Sequence, residues 1–255
     1  MIYLKGQDKL GNLQTKRRFN FSSDMKNKFL IFSLVFVATV FVFALAGETA
    51  HASPPQIFIT WKAKSLVPAF FSGKILPGSK TPILASVEVI DNNKIANLSG
   101  LKIYWYLNEH LIDRGDGLQS IAFRSPKTLG DEAMHLRVQI PGYPGGIPII
   151  KDIIIPLVSP SVVLESQYPG NRFSSRSVLV RALPYFFGVP DVSFLSFSWT
   201  LNGQDIKTSE NPQQLTVNIN QDALPGSALG ISATVTNPNG WFESAKADKP
   251  LTFSP

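Results

Sequence analysis

Three histidines and no cysteine bound the chemistry open to this chain of 255 residues. The histidines are His51, His110 and His135. An imidazole can act as a base or bind a metal, yet neither His110 nor His135 has a second His at ligand spacing, and a zinc site without thiolates lacks its usual donors. A hydroxyl nucleophile needs a positioned base, and the chain contains no Gly-x-Ser-x-Gly elbow and no Ser-x-x-Lys in a helical context. The richest oxygen sets are Asp91-Asn92-Asn93 and Asp113-Arg114-Gly115-Asp116-Gly117. Carboxylates and carbonyls between strands can bind calcium, but Asp, Asn and Gly also build tight turns. The second run lacks the spacing and terminal Glu of a calcium loop. Turns are therefore the expectation, with no catalytic residue, no metal site and no cofactor.

The side chains suited to recognition are aromatic. Val67-Pro68-Ala69-Phe70-Phe71-Ser72-Gly73 and Pro184-Tyr185-Phe186-Phe187-Gly188-Val189-Pro190 both read as loops. Loops usually face water, so adjacent aromatics in them need a reason. Phe70, Phe71, Tyr185, Phe186 and Phe187 are thus the candidate interaction surface, as a patch for a protein or as platforms for a carbohydrate. The structural alternative is that they pack between units or cap open sandwich ends. A third loop, Gly142-Tyr143-Pro144-Gly145-Gly146-Ile147-Pro148, could meet the second unit or form a hairpin tip.

The elements that must carry these loops are announced by a repeat. Ile103-Tyr104-Trp105-Tyr106-Leu107-Asn108 returns as Phe197-Ser198-Trp199-Thr200-Leu201-Asn202, with the two Trp 94 residues apart. Apolar residues alternate through each copy, as a half-buried strand requires. Flanking blocks match at an offset of 95: Ser79–Ala85 with Ser174–Val180, and Gly130–Ile140 with Pro225–Val235. Three blocks in one order define two units of about the length of a small β-sandwich. Trp105, Leu107, Trp199 and Leu201 fall in the structural core, in phase with their apolar neighbours. Strands are expected near 56–61, 82–90, 101–108, 119–124, 133–141 and 149–157, then near 161–166, 176–183, 194–202, 213–219, 228–236 and 241–253. Val158-Ser159-Pro160-Ser161 is the natural seam, short and stiffened by its Pro.

These core-Trp strands resemble the immunoglobulin-like (Ig-like) domain family, in the broad form found in tandem modules of exported bacterial envelope proteins. Two features of the family are missing: the cysteine pair, and a Tyr near the start of the sixth strand. The resemblance covers about residues 55–254. It implies an all-β fold of two tandem Ig-like β-sandwiches, and it implies location and architecture rather than an activity.

Charge and hydropathy place the chain. The net charge of +6 is concentrated at the start, where residues 1–52 hold seven Lys and Arg against three acids. The remainder holds 17 basic and 15 acidic residues, so the folded part lacks the basic face that nucleic acid would need. Phe29 to Gly47 is an uncharged apolar run of 19 residues, preceded by Lys26 and Lys28 and followed by Ala50-His51-Ala52. It reads as one N-terminal hydrophobic helix, either a signal peptide cleaved after Ala52 or an uncleaved transmembrane anchor. A start at Met25 would leave a normal short basic flank. The expected organisation is a basic cytoplasmic segment at 1–28, the signal or anchor at 29–52, and Ig-like domains at 53–158 and 159–255. The expectation for function is a non-catalytic exported protein of the cell envelope, at the outer face of the cytoplasmic membrane, in the periplasm or outside the cell. It would hold the membrane through its N-terminal segment if uncleaved. It would serve protein interaction or surface-structure assembly, with carbohydrate or polymer binding as the alternative.

Overall fold

The computed structural model describes residues 54–127, 133–207, 211–240 and 243–255; the expected hydrophobic helix, the Met25 start and His51 lie outside these residues. Strands β1 (Gln56–Ala63), β2 (Pro82–Asp91), β3 (Lys94–Ile95), β4 (Lys102–Leu107), β5 (His110–Asp116), β6 (Ser120–Arg124), β7 (Ala133–Ile140) and β8 (Ile149–Pro156) build a first pair of sheets. Strands β9 (Ser161–Ser166), β10 (Arg172–Phe173), β11 (Ser177–Tyr185), β12 (Ser196–Leu201), β13 (Gln204–Ile206), β14 (Gln214–Asn218), β15 (Ala228–Thr236) and β16 (Ser244–Phe253) build a second pair. Among the described residues the chain is all-β, with a single 3-10 turn at Val192–Phe194.

In the first pair, β1, β2 and β6 lie in one sheet with β3 on its edge, facing the order β5-β4-β7-β8. In the second, β9, β11 and β14 face β13-β12-β15-β16-β10. This split of strands is that of an Ig-like Greek key, with the fourth strand beside the third. The second pair adds a change of sheet by its first strand. β9 runs antiparallel to β11, and after Pro169-Gly170 the chain crosses so that β10 runs parallel to β16. Each pair of sheets encloses its own core. One is built from residues between Ala63 and Leu157, the other from residues between Val162 and Phe253.

The repeat owes its residues to three structural requirements. Alternation turns one face inward, so Trp105 is 0 % and Trp199 1 % exposed. Leu107 and Leu201, at the strand ends, are half-buried against the same cores. Each indole N–H donates to a carbonyl 13 residues further on, Trp105 to Leu118 at 2.9 Å and Trp199 to Pro212 at 2.8 Å. The Asn that closes each copy begins a two-residue hairpin in left-handed backbone, with φ of 47° at Asn108 and 50° at Asn202. Such turns match strand twist, and Asn tolerates their backbone. The Asn side chains also accept a neighbouring strand's N–H, His135 at 2.8 Å and Gly230 at 2.8 Å. Asn202→Ala should therefore destabilise by about 1–2 kcal/mol, while Asn202→Gly keeps the turn and loses less. Urea unfolding midpoints of the two variants check this.

One expected loop is a strand in the structure. Asp113 to Asp116 lie on β5, an edge strand, and the segment is not a loop. Asp113 pairs with Trp105 and Asp116 with Lys102, so the two carboxylates leave opposite faces of the sheet and do not converge on a cation. Asp91-Asn92-Asn93 is the β2–β3 hairpin, with φ of 48° and 59° at the two Asn. The Gly142–Pro148 loop closes the open end of the first sandwich. Tyr143 is buried there, its hydroxyl donates to Asp91 at 2.9 Å, and burial raises its pKa. That end lies a full β2 length, about 30 Å, from the junction with the second sandwich.

Candidate functional site

Both cores belong to one compact unit, Ser53–Pro255, and the aromatic loops meet where they join. Leu66 N–H donates to Phe187 O at 2.8 Å and Phe186 N–H to Leu66 O at 2.7 Å, an antiparallel bridge between the sandwiches. Leu66 comes from the first sandwich by sequence and packs against the core of the second. Phe71 stands edge-on to Tyr185 at 6.0 Å and to Phe186 at 5.7 Å. Edge contacts of this kind contribute about 0.5–1.5 kcal/mol each beyond the area they bury. The linker is fixed too, since Val158 N–H donates to Pro77 O at 3.0 Å.

The backbone is strained to make this junction. Phe186 has φ of 63°, a left-handed conformation that costs a bulky side chain about 1–2 kcal/mol. Its carbonyl then lies against Gly78, where an added Cβ would stand 2.5 Å from Phe186 O. At Gly188 an added Cβ would stand 2.8 Å from Ser79 O. Glycine is required at both positions because two backbones approach where a side chain would otherwise sit.

The candidate interaction residues therefore have different surroundings. Phe187 is fully buried in the second core and presents no surface. Phe71, Tyr185 and Phe186 are half-buried against one another. Phe70, 66 % exposed, faces water.

A cleft of about 220 Å³ opens beside this junction. Lys80 and Arg124 line it from the first sandwich; Phe194, Asn237, Asn239 and Glu243 line it from the second. Glu243 is only 4 % exposed, and both its carboxylate oxygens are engaged, one by Gly188 N–H at 3.0 Å and the other by the Asn237 amide. Under the cleft, Thr81 N–H donates to Ser125 Oγ at 2.8 Å, and Ser125 donates to Gly78 O at 2.6 Å. The sequence does not mark these polar residues as a group, because Lys80, Arg124 and Glu243 lie far apart along it. Their only local signal is the pair of glycines.

The described histidines have backbone roles. His110 Nδ1 lies 2.7 Å from Asn108 O, and His135 pairs through its main chain with Asn108. Among the described residues no group of three or more His, Cys, Asp or Glu could hold a metal ion.

A second surface is the outer face of the sheet β5-β4-β7-β8. Registers set Arg114, Tyr104, Gln139 and Ile150 in one row, and Leu111, Tyr106, Arg137 and Asp152 in the next. His135 and Ile154 follow in a third. Ile150 and Ile154 are 51 % and 62 % exposed. Arg137 is clamped, its Nε donating to Asp152 at 2.7 Å and its Nη1 to Glu109 at 2.7 Å. Its hydrogen bond to Asp152 raises its pKa, with the charges of Asp152 and Glu109 adding to the rise and desolvation opposing it. The equivalent face of the second sandwich is wholly different. Its rows are Ser196, Thr236, Ser244; then Ser198, Thr234, Lys246; then Thr200, Ser232, Asp248.

No model of a known protein family matches the chain, and no curated protein matches its sequence. Among solved structures it is similar to the fibronectin(III)-like modules of Clostridium thermocellum CbhA, at 13 % identity over 77 % of this chain and 93 % of that one, with a TM-score of 0.26. It is also similar to the mouse nectin-like molecule 4 ectodomain, Ig1–Ig3, at 11 % identity over 80 % of this chain and 65 % of that one, with a TM-score of 0.32. A third is Sidekick-1 immunoglobulin domains 1–4, at 13 % identity over 80 % and 70 %, with a TM-score of 0.25. At these scores the Ig-like fold rests on strand order and register alone.

Proposed function

We propose that this chain is a non-catalytic protein of the cell envelope, exported through its N-terminal apolar segment, in which two tandem Ig-like modules form one stiff unit for protein interaction. Its contact surface is the outer face of β5-β4-β7-β8. One observation carries this reading: the same sheet position in the two sandwiches has opposite chemistry. The second sandwich carries hydroxyls there, at Ser196, Ser198, Thr200, Ser232, Thr234, Thr236 and Ser244, and charges at Lys246 and Asp248. The fold thus has no need of apolar side chains on that face. The first sandwich nevertheless exposes Leu111, Ile150 and Ile154 there, around half-buried Tyr104 and Tyr106. Exposed aliphatic and aromatic groups around a fixed Arg are the composition of a protein contact.

The export reading rests on the run from Phe29 to Gly47 and its basic flank. Among the described residues no helix is long and apolar enough to cross a membrane.

The test is photocrosslinking in intact envelopes. A crosslinker at Ile154 should capture an envelope protein, and Ile150→Asp with Ile154→Asp should abolish capture while changing stability by under about 1 kcal/mol, since both positions are exposed. A crosslinker at Thr234 should capture nothing. Equal capture from Thr234 and Ile154, or capture that survives both Asp substitutions, would overturn the proposal.

A further inference from the structure

The cleft beside the junction has a use that the outer sheet face does not cover. We propose that it is a binding subsite for a carboxylate-bearing sugar, a uronic acid residue of an acidic glycan. Its positive side comes from the first sandwich. Lys80 and Arg124 are both exposed and both line the cleft. Arg124 donates from Nη1 to Lys80 O at 2.8 Å, which ties the guanidinium to the Lys80 backbone and uses one of its five N–H donors. A planar fork held this way suits a carboxylate, which it can bind through two parallel bonds. Lys80 is itself held in left-handed backbone, φ 54°, so its position is imposed by its surroundings rather than by local preference.

The second sandwich supplies the other half of the site. Phe194 is 50 % exposed in the cleft wall, on the 3-10 turn whose start is fixed by Asp191 accepting from Ser193 N–H at 2.9 Å. An aromatic ring at a cleft wall offers a flat apolar platform to the C–H face of a sugar ring. Asn239 adds an exposed amide at the rim. Among the described residues Glu243 is the one acid lining the cleft, and it is engaged by Gly188 and Asn237, so the unengaged charges those residues bring to it are the positive ones of Lys80 and Arg124. The volume, about 220 Å³, is that of roughly seven waters, enough for a single sugar ring. Cations, an amide and one flat ring favour a uronate over an acidic peptide, whose extended backbone would need an unpaired strand edge or a row of side-chain pockets.

Titration calorimetry of the full-length chain with trigalacturonic acid tests this, with neutral trigalactose and a triglutamate peptide as comparison ligands. The trisaccharide acid should bind and the other two should not. Arg124→Gln and Lys80→Gln should each weaken binding about tenfold or more, the scale of a lost charge-assisted hydrogen bond. Phe194→Ala should weaken it by a similar factor without altering the charge. Lys80 is exposed and its side chain takes no part in the fold, so Lys80→Gln keeps the test valid if Arg124→Gln disturbs the junction. The Ile150→Asp and Ile154→Asp pair should bind the acid unchanged, which separates this site from the protein-contact face. No binding of trigalacturonic acid, equal binding of trigalactose, equal binding of triglutamate, or full binding by Lys80→Gln and Phe194→Ala would each overturn the proposal.

Discussion

Trp105→Ala and Trp199→Ala should each lower unfolding free energy by about 3–5 kcal/mol, the cost of deleting a large ring from a close-packed core. Both rings are fully enclosed, so the site cannot be filled by water or by a small shift of neighbours. The indole N–H leaves with the ring, and Leu118 O or Pro212 O loses its partner at 2.9 or 2.8 Å. An orphaned carbonyl adds about 1 kcal/mol. Against a total of about 5–15 kcal/mol for a domain, either change brings its sandwich close to unfolding. The absence of cysteine means that no disulfide limits the loss. Urea unfolding followed by backbone amides in each sandwich should report the damage in the mutated sandwich first. Trp→Phe keeps most of the ring volume and should cost less than half as much.

The second large effect is expected at the junction. Gly78→Val places a Cβ 2.5 Å from Phe186 O, a backbone atom in a residue already held at φ 63°. Neither side can yield cheaply, and overpacking of this kind costs about 1–3 kcal/mol. The first contacts to break are the two backbone bonds between Leu66 and Phe186–Phe187. Amide exchange at Leu66 and Phe186 should therefore speed up by at least tenfold in Gly78→Val, while amides beside Trp105 and Trp199 keep their protection. Gly100→Val, where an added Cβ meets nothing within 4 Å, is the matched control. Loss of protection at the Trp sites as well would mean that the junction supports both cores and is more than a clasp.

The residues differ in how much of this they reveal by themselves. Trp105 and Trp199 sit in phase with apolar neighbours, and period-two alternation is enough to turn them inward. Asn108 and Asn202 repeat just as faithfully, but their reason is a turn conformation and a bond to a strand 27 or 28 residues away. The edge strands β5 and β13 go unrecognised because polar, half-solvated edges carry no alternation to read. The aromatic loops are conspicuous in the sequence, and their neighbours are not. Phe71 meets Phe186 across more than a hundred residues, and no local pattern encodes such a meeting. The contrast between an apolar and a hydroxyl face becomes visible only once register assigns each residue to a side. The cleft is further still from local patterns, since Arg124 finds Lys80 through the pairing of β6 with β2.

The cleft takes a wall from each sandwich, so it exists only if the two sandwiches form one stiff body. Residual dipolar couplings measured for backbone amides of both sandwiches in one aligned sample test this directly. Alignment tensors fitted separately to residues 54–127 and 161–207 should agree in magnitude and in axis directions. Tensors that differ in magnitude would mean that the modules swing about Val158–Ser161, and would contradict the clasp, the cleft and the stiff unit together.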